Sequence, residues 1–415
     1  MFVKAKLPLL FVLLCLNCTF IHCQDHSLDF YIQKGIANSP VLKDISNQIQ
    51  ANQYDSLVAR AAYLPQISFN ALVMYAPAIN GWGYSDVITN GQQLIGTVNV
   101  NQQIFNKKTR ETNYRKFGIQ GMSLENSRKI STSELKKAIT AQYLAAYAAF
   151  MEKKYQAEDL ATLSNQEKIL SRYVEQGIYR QTDYLTLRIA TMSLERNIRD
   201  LDVQFRKEYA NLNVICGVRD TAVAALSLPA VDEHTGPDLS ASPLFKRFYY
   251  DSLQILNERE LVDRHYKPSV SWFSDGGMVN NMPAEIYKNM GVSIGMSLGL
   301  PLYDGNQRKY QYGRIKSEED TRKNYQEFFR FQYEAQLRQL KEELGKIEVS
   351  ATETRKQVAL ITELISQDQA LLNIGSLSII DYVIALRSIT EARHNSILYQ
   401  IRAQYIMNEI NFLKQ

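Results

Sequence analysis

Two segments of this chain repeat one spacing of glycine and acid. Gly177-Ile-Tyr-Arg-Gln-Thr-Asp183-Tyr184-Leu185 and Gly375-Ser-Leu-Ser-Ile-Ile-Asp381-Tyr382-Val383 place an aspartate at the same interval after a glycine. A glycine supplies the backbone freedom that a turn between two antiparallel helices needs, and the acid falls where an N-cap or first-turn carboxylate would follow. That assigns Asp183 to helix capping and leaves Asp381 open between capping and a second role at the turn. No other chemistry assembles from the side chains. His22, His26, His234, His265 and His394 are scattered, none stands near Cys216, and no metal-ligand spacing occurs. Glycines at 291, 295 and 299 have the wrong spacing for a phosphate loop and fall within a strand pattern. We therefore expect no catalytic residues, no cofactor and no metal, and read the chain as not an enzyme.

Composition is that of a folded protein, with 45% apolar and 22% charged residues, which excludes a disordered or collagen-like chain. The net charge of +4 includes Lys4 and Lys6, and what is left is too small and dispersed to bind nucleic acid. Those two lysines open residues 1–23, where an apolar run from Leu7 to Ile21 precedes the first acid, Asp25. This is the layout of a secretory signal peptide. Cys15, Cys18 and Cys23 lie in or at the end of it, so Cys216 stands alone in the mature chain and no internal disulfide is expected. Lipidation of Cys18 or Cys23 is the alternative, with Asn17 and His22 poor residues to precede an acylated cysteine.

The elements that must position the two breaks come next. No later window approaches the roughly 18 to 20 apolar residues of a membrane-spanning helix, so entry into a membrane would be by strands. Strand alternation predicts four of them, at about 65–75, 93–104, 268–278 and 291–302. Val292, Ile294, Met296, Leu298 and Leu300 alternate with Gly291, Ser293, Gly295, Ser297 and Gly299, apolar on one face only. A soluble sandwich shows the same alternation. The helices weigh against it: 106–176 and 304–374 contain no proline, carry narrow apolar stripes, and would each extend on the order of 100 Å. Shorter helices follow each break, at 181–213 and 379–411, and others open the two halves near 38–63 and 242–266.

The chain matches itself. Ser39-Pro40, Lys43, Pro65 and Ser68 recur at one fixed separation as Ser242-Pro243, Lys246, Pro268 and Ser271. Arg110, Tyr114, Gly177, Asp183-Tyr184, Asn197 and Asn213 recur at a slightly shorter one as Arg308, Tyr312, Gly375, Asp381-Tyr382, Asn395 and Asn411. We expect a duplication with repeats at 24–213 and 242–415, joined by a Gly- and Pro-rich linker over 214–241.

With Pro301-Leu-Tyr-Asp-Gly305 after the fourth strand and Leu212-Asn-Val-Ile-Cys-Gly217 closing the first half, these features resemble the TolC-like outer-membrane efflux proteins, the outer membrane factors. The resemblance implies an α+β membrane protein built from a duplicated helix-strand-strand-helix-helix unit. Three chains would form a 12-stranded outer-membrane β-barrel, continued by a long periplasmic α-helical coiled-coil tunnel. Physically, four strands are too few to close a barrel, and an open edge in lipid costs several kcal/mol per unpaired group. The resemblance further implies the outer membrane of a Gram-negative bacterium, with the chain extending into the periplasm. Its function there would be the passive exit duct of a tripartite efflux or secretion system, opened at the periplasmic tip. The implied partners are two further copies, a periplasmic adaptor (membrane fusion) protein, an inner-membrane pump of RND, ABC or MFS type, and outer-membrane lipid, with no nucleic acid.

In this resemblance Asp381, Asp183, Arg180 and Tyr382 belong to the periplasmic gate, with Asp381 from three chains forming a cation-favouring ring. Gly177, Gly375, Tyr179, Gln181, Ser376, Leu377 and Ser378 make the tip turns and the adaptor-docking surface. The chain departs from some relatives at Ile384 and Leu377, where those carry a second acid and a basic tether. Arg180, Tyr179 and Arg387 are the candidate substitutes. The alternative reading is a non-conducting structural or adhesive coiled-coil envelope protein; a porin-like channel would need no such helices.

Overall fold

The computed structural model describes residues 27–77, 79–84, 92–104, 107–219, 223–229, 231, 239–281 and 288–415. The leader with its three cysteines, His22, His26 and His234, Phe105, and parts of the linker and of the loops at 75–93 and 279–289 lie outside the described residues.

In chain order the elements are α1 (Leu28–Asn38), α2 (Pro40–Ala61), β1 (Gln66–Tyr75), β2 (Gln92–Ile104), α3 (Lys107–Glu175) and α4 (Gln181–Cys216). Then come α5 (Pro243–His265), β3 (Ser269–Asn280), β4 (Met290–Gly299), α6 (Gln307–Asn373) and α7 (Ile379–Leu413). Helices α3 and α6 run 69 and 67 residues without a break. No helix among the described residues is long and apolar enough to cross a membrane.

Local chemistry explains the boundaries. Ser27 and Ser242 cap α1 and α5 through their hydroxyls, and Pro40 and Pro243 occupy first-turn positions where no intrahelical donor is needed. Asp304 starts α6 by accepting from the Asn306 and Arg308 amides at 2.9 and 2.8 Å. Helix α1 was not among the sequence expectations, which began the opening helix near 38. It lies directly after the leader, and Ser39-Pro40 divides it from α2.

The chain forms two compact units, each drawing on both halves of the sequence. The first comprises the described residues of Met1–Ser39, Ser133–Thr235 and Gln336–Lys414. One of its cores gathers Tyr31, Ile139, Tyr143, Ala146, Ala149, Phe205, Tyr209, Leu212 and Cys216, with Leu226 of the linker packed among them. The small Ala146 and Ala149 let helices approach closely there, the Tyr31 hydroxyl donates to that of Tyr209, and the Tyr143 hydroxyl donates to the Ser227 carbonyl. Burial pushes the Cys216 thiol up to about 11, so it is an inert core residue.

The second unit comprises Pro40–Thr132 and Gly236–Ala335, described residues only, with Gln415. Its sheet is antiparallel in the order β1-β2-β3-β4. Below it α5 is tied to both long helices. Glu260 accepts from Thr112 and pairs with Arg115, while Asp263 pairs with Arg308 and accepts from Tyr312. Aromatic packing of Phe245 on Phe329 and Tyr333 continues the contact with α6.

Candidate functional site

The two glycine breaks fold identically. After α3 the Gly177 amide bonds the Val174 carbonyl and the Ile178 amide bonds Tyr173, at 3.0 and 2.9 Å; after α6 the Gly375 and Ser376 amides bond Leu372 and Leu371, at 3.1 and 3.0 Å. These are Schellman closures, which require a left-handed residue, and both glycines sit at φ +74°.

The acids that follow are not equivalent. Asp183, half-buried in the first turn of α4, reaches back so that its Oδ2 accepts from the Arg180 amide at 3.1 Å. Ser378 does the corresponding work for α7, its hydroxyl accepting from the Ile380 amide at 3.2 Å. Asp381 is thereby released from capping. It is exposed in the first turn of α7 with no side-chain hydrogen bond or ion pair among the described residues.

Beneath the turns lies a core of Leu163, Leu170, Leu187, Leu372, Ile379, Tyr382, Val383, Leu386 and Ile389. Here several sequence assignments change. Tyr382, expected at the gate, is completely buried, and burial pushes its hydroxyl up to about 12. It faces the core because it follows Asp381 on the apolar stripe of α7. Tyr179 and Leu377, expected as exposed docking residues, are half-buried. The Tyr179 hydroxyl donates to the carbonyls of Leu372 and Leu377 at 2.9 and 3.0 Å, tying the first turn to the second. Its ring stacks on Tyr173, and burial raises its pKa. Gly375 also brings the turns together, since a Cβ there would stand 3.2 Å from Ile178 Cγ2. Arg180, Gln181, Ser376, Ser378 and Arg387 remain exposed.

Above the core, α3, α4 and α7 enclose a groove of about 390 Å³. Buried Asp159 crosses it to Arg393 and Thr390 at 2.8 and 2.7 Å, and His394 meets Glu152 at 2.6 Å. Burial raises the Asp159 carboxyl despite these partners. Sequence reading missed these pairs because they join residues more than two hundred positions apart. Among the described residues no group of His, Cys, Asp and Glu could hold a metal ion.

The sheet, in the second unit, is a separate feature. Ile67, Phe69, Val73, Val98, Val292, Ile294, Met296 and Leu298 share one face, and most residues of the other face are small or polar, with Leu72, Met74, Ile95, Phe273 and Val279 the apolar exceptions. That apolar face is bare in the chain, with Val292 84% and Val73 79% exposed. β1 and β4 are each paired on one side only.

Comparison of the sequence with protein-family models gives no match, and comparison with curated proteins gives none either. Solved structures do match. The chain is similar to CusC, whose structures concern transmembrane channel formation, with a TM-score of 0.77 at 11% identity over 94% of this chain and 92% of that one. It is similar to the Vibrio cholerae outer membrane protein VceC, TM-score 0.75 at 12% identity over 93% and 96% of the two chains. The open MtrE outer membrane channel of Neisseria gonorrhoeae gives 0.74 at 12% identity over 93% and 88%. In fold, this chain resembles the TolC-like outer-membrane efflux channels.

Proposed function

We propose that this protein is the passive exit duct of a tripartite efflux or secretion system, crossing the outer membrane as strands and the periplasm as helices. The observation that carries the reading is the open four-stranded sheet, apolar and exposed on one face and largely small and polar on the other, whose second and fourth strands are each followed in the chain by a helix of 69 or 67 residues. An unpaired edge and a bare apolar face are each unfavourable in isolation, and closure with further copies inside lipid relieves both. Three chains sharing a 12-stranded barrel is the arrangement the channel fold supports. The two turns then form the periplasmic tip, Asp381 supplies the cation-favouring ring, and Tyr179 restrains the aperture. The exposed Arg180, Gln181, Ser376 and Ser378 meet a periplasmic adaptor, behind which stands an inner-membrane pump of RND, ABC or MFS type. That Asp381 has no partner among the described residues, while Asp183 caps its own helix, favours Asp381 as the gate acid.

Single-channel recording from oligomer purified out of outer membranes tests the reading, before and after Asp381→Ala. A small cation-selective conductance that loses selectivity or enlarges in the variant is expected. An assembled oligomer that never conducts, even with the tips removed, would leave the structural or adhesive reading in its place.

A further inference from the structure

We propose that Asp275, on the polar face of the sheet, is a charge-selecting residue of the conduit that favours cationic over anionic solutes; this rests on the duct reading above. Asp275 is the one acidic or basic side chain in the four described strands. Register places it between Asn99 of β2 and Ser293 of β4, on the face opposite Val98, Ile294 and Trp272. The lipid-facing side is thus free of charge, and the single carboxylate looks into the lumen.

No structural need accounts for it. Aspartate is depleted in strands, and no Lys, Arg or His pairs with Asp275 among the described residues. Its surroundings hold it in place instead. The Ser293 hydroxyl donates to Asp275 Oδ2 at 2.5 Å. Phe273, two positions back on the same face, lies across Gly295, where a Cβ would stand 2.5 Å from the ring. Glycine at 295 leaves room for the ring over β4, and Asp275 beside it is half-buried rather than closed off.

Copies closing one barrel set their Asp275 side chains at one height, as a ring of negative charge. Screening limits the reach of such a ring to about 10 Å at 0.1 M salt but extends it to about 30 Å at 0.01 M. Selection by Asp275 therefore strengthens as salt is lowered.

The test compares wild type, Asp275→Asn, Asp275→Glu and Ser293→Ala as assembled oligomers in planar bilayers, under potassium chloride gradients at low and high salt. Asn still accepts from Ser293 but carries no charge. Near 0.01 M, Asp275→Asn should lower the cation-over-anion permeability ratio roughly twofold or more, converging on wild type near 1 M, where screening falls to about 3 Å. Asp275→Glu and Ser293→Ala, which keep the charge, should retain wild-type selectivity. A conducting wild type whose low-salt selectivity is unchanged in Asp275→Asn overturns the assignment and leaves the duct standing. Loss of selectivity in Ser293→Ala as large as in Asp275→Asn also overturns it, by showing a packing role. Assembled oligomer that does not conduct even with the tips removed overturns the duct reading, and this inference with it.

Discussion

Tyr179 and Tyr382 show how burial separates two tyrosines that look alike in sequence. Tyr179 lies in the first tip turn and Tyr382 in the first turn of the helix after the second, yet Tyr179 bonds two carbonyls while the Tyr382 hydroxyl is buried without a partner among the described residues. Replacing Tyr179 by Phe removes the tie between the turns. A net hydrogen bond of about 1 kcal/mol corresponds to a shift of roughly fivefold in the open-to-closed ratio, which channel recordings of Tyr179→Phe should show as more frequent opening. Unchanged gating would mean that the tie restrains nothing. Tyr382→Phe should act in the opposite sense on stability, raising it by about 1 kcal/mol through loss of an unsatisfied buried oxygen, as read by denaturant unfolding. A destabilised variant would reveal a partner for the hydroxyl. Gln166, 1% exposed with neither amide atom bonded among the described residues, is another costly group in this unit.

At the scale of elements, α5 is clamped by carboxylates. The Asp263 carboxyl lies below its ordinary value through the Tyr312 hydroxyl and Arg308, and that of Glu260 through Arg264, Thr112 and Arg115. A carboxyl depressed on folding contributes stability that is complete above its unfolded value, near 4, and vanishes as pH falls through the lower folded value. Hydrogen exchange of the α5 amides should thus be slow and level from neutral pH down to about 5, then show local loosening, beyond the intrinsic pH effect, at lower pH. Glu260→Gln should flatten that acid limb, and an identical limb in the variant would place the titrating groups elsewhere. The turns were legible at this scale because glycine at a positive φ has few substitutes. Their asymmetry was not legible, since Asp183 and Asp381 occupy matching positions and only the hydroxyl at Ser378 frees the second.

For the whole molecule, the sheet faces decide between lipid and water. Arginine on a lipid face near the bilayer midplane costs about 2–4 kcal/mol, whereas a lumen position tolerates it. Ile294→Arg should therefore sharply reduce membrane-assembled oligomer, and Ser297→Arg should leave assembly near wild type while altering conductance. Equal loss in both, measured by heat-modifiable migration of outer-membrane extracts, would argue against a lumen on the polar face. The same contrast tests the reading against a soluble sandwich, in which Ile294 would face protein.

Alternating strands, unbroken long helices and paired glycines were determined by the sequence alone, because each depends on periods of a few residues or on one residue's backbone freedom. Which side chains meet was decided only by tertiary structure. Tyr179 reaches Leu377, Asp159 reaches Arg393 and Leu226 enters a core with Tyr31 because distant segments fold together. Burial then fixes whether an aspartate caps a helix or stays free, and whether a tyrosine faces solvent or core, and no local pattern encodes that choice.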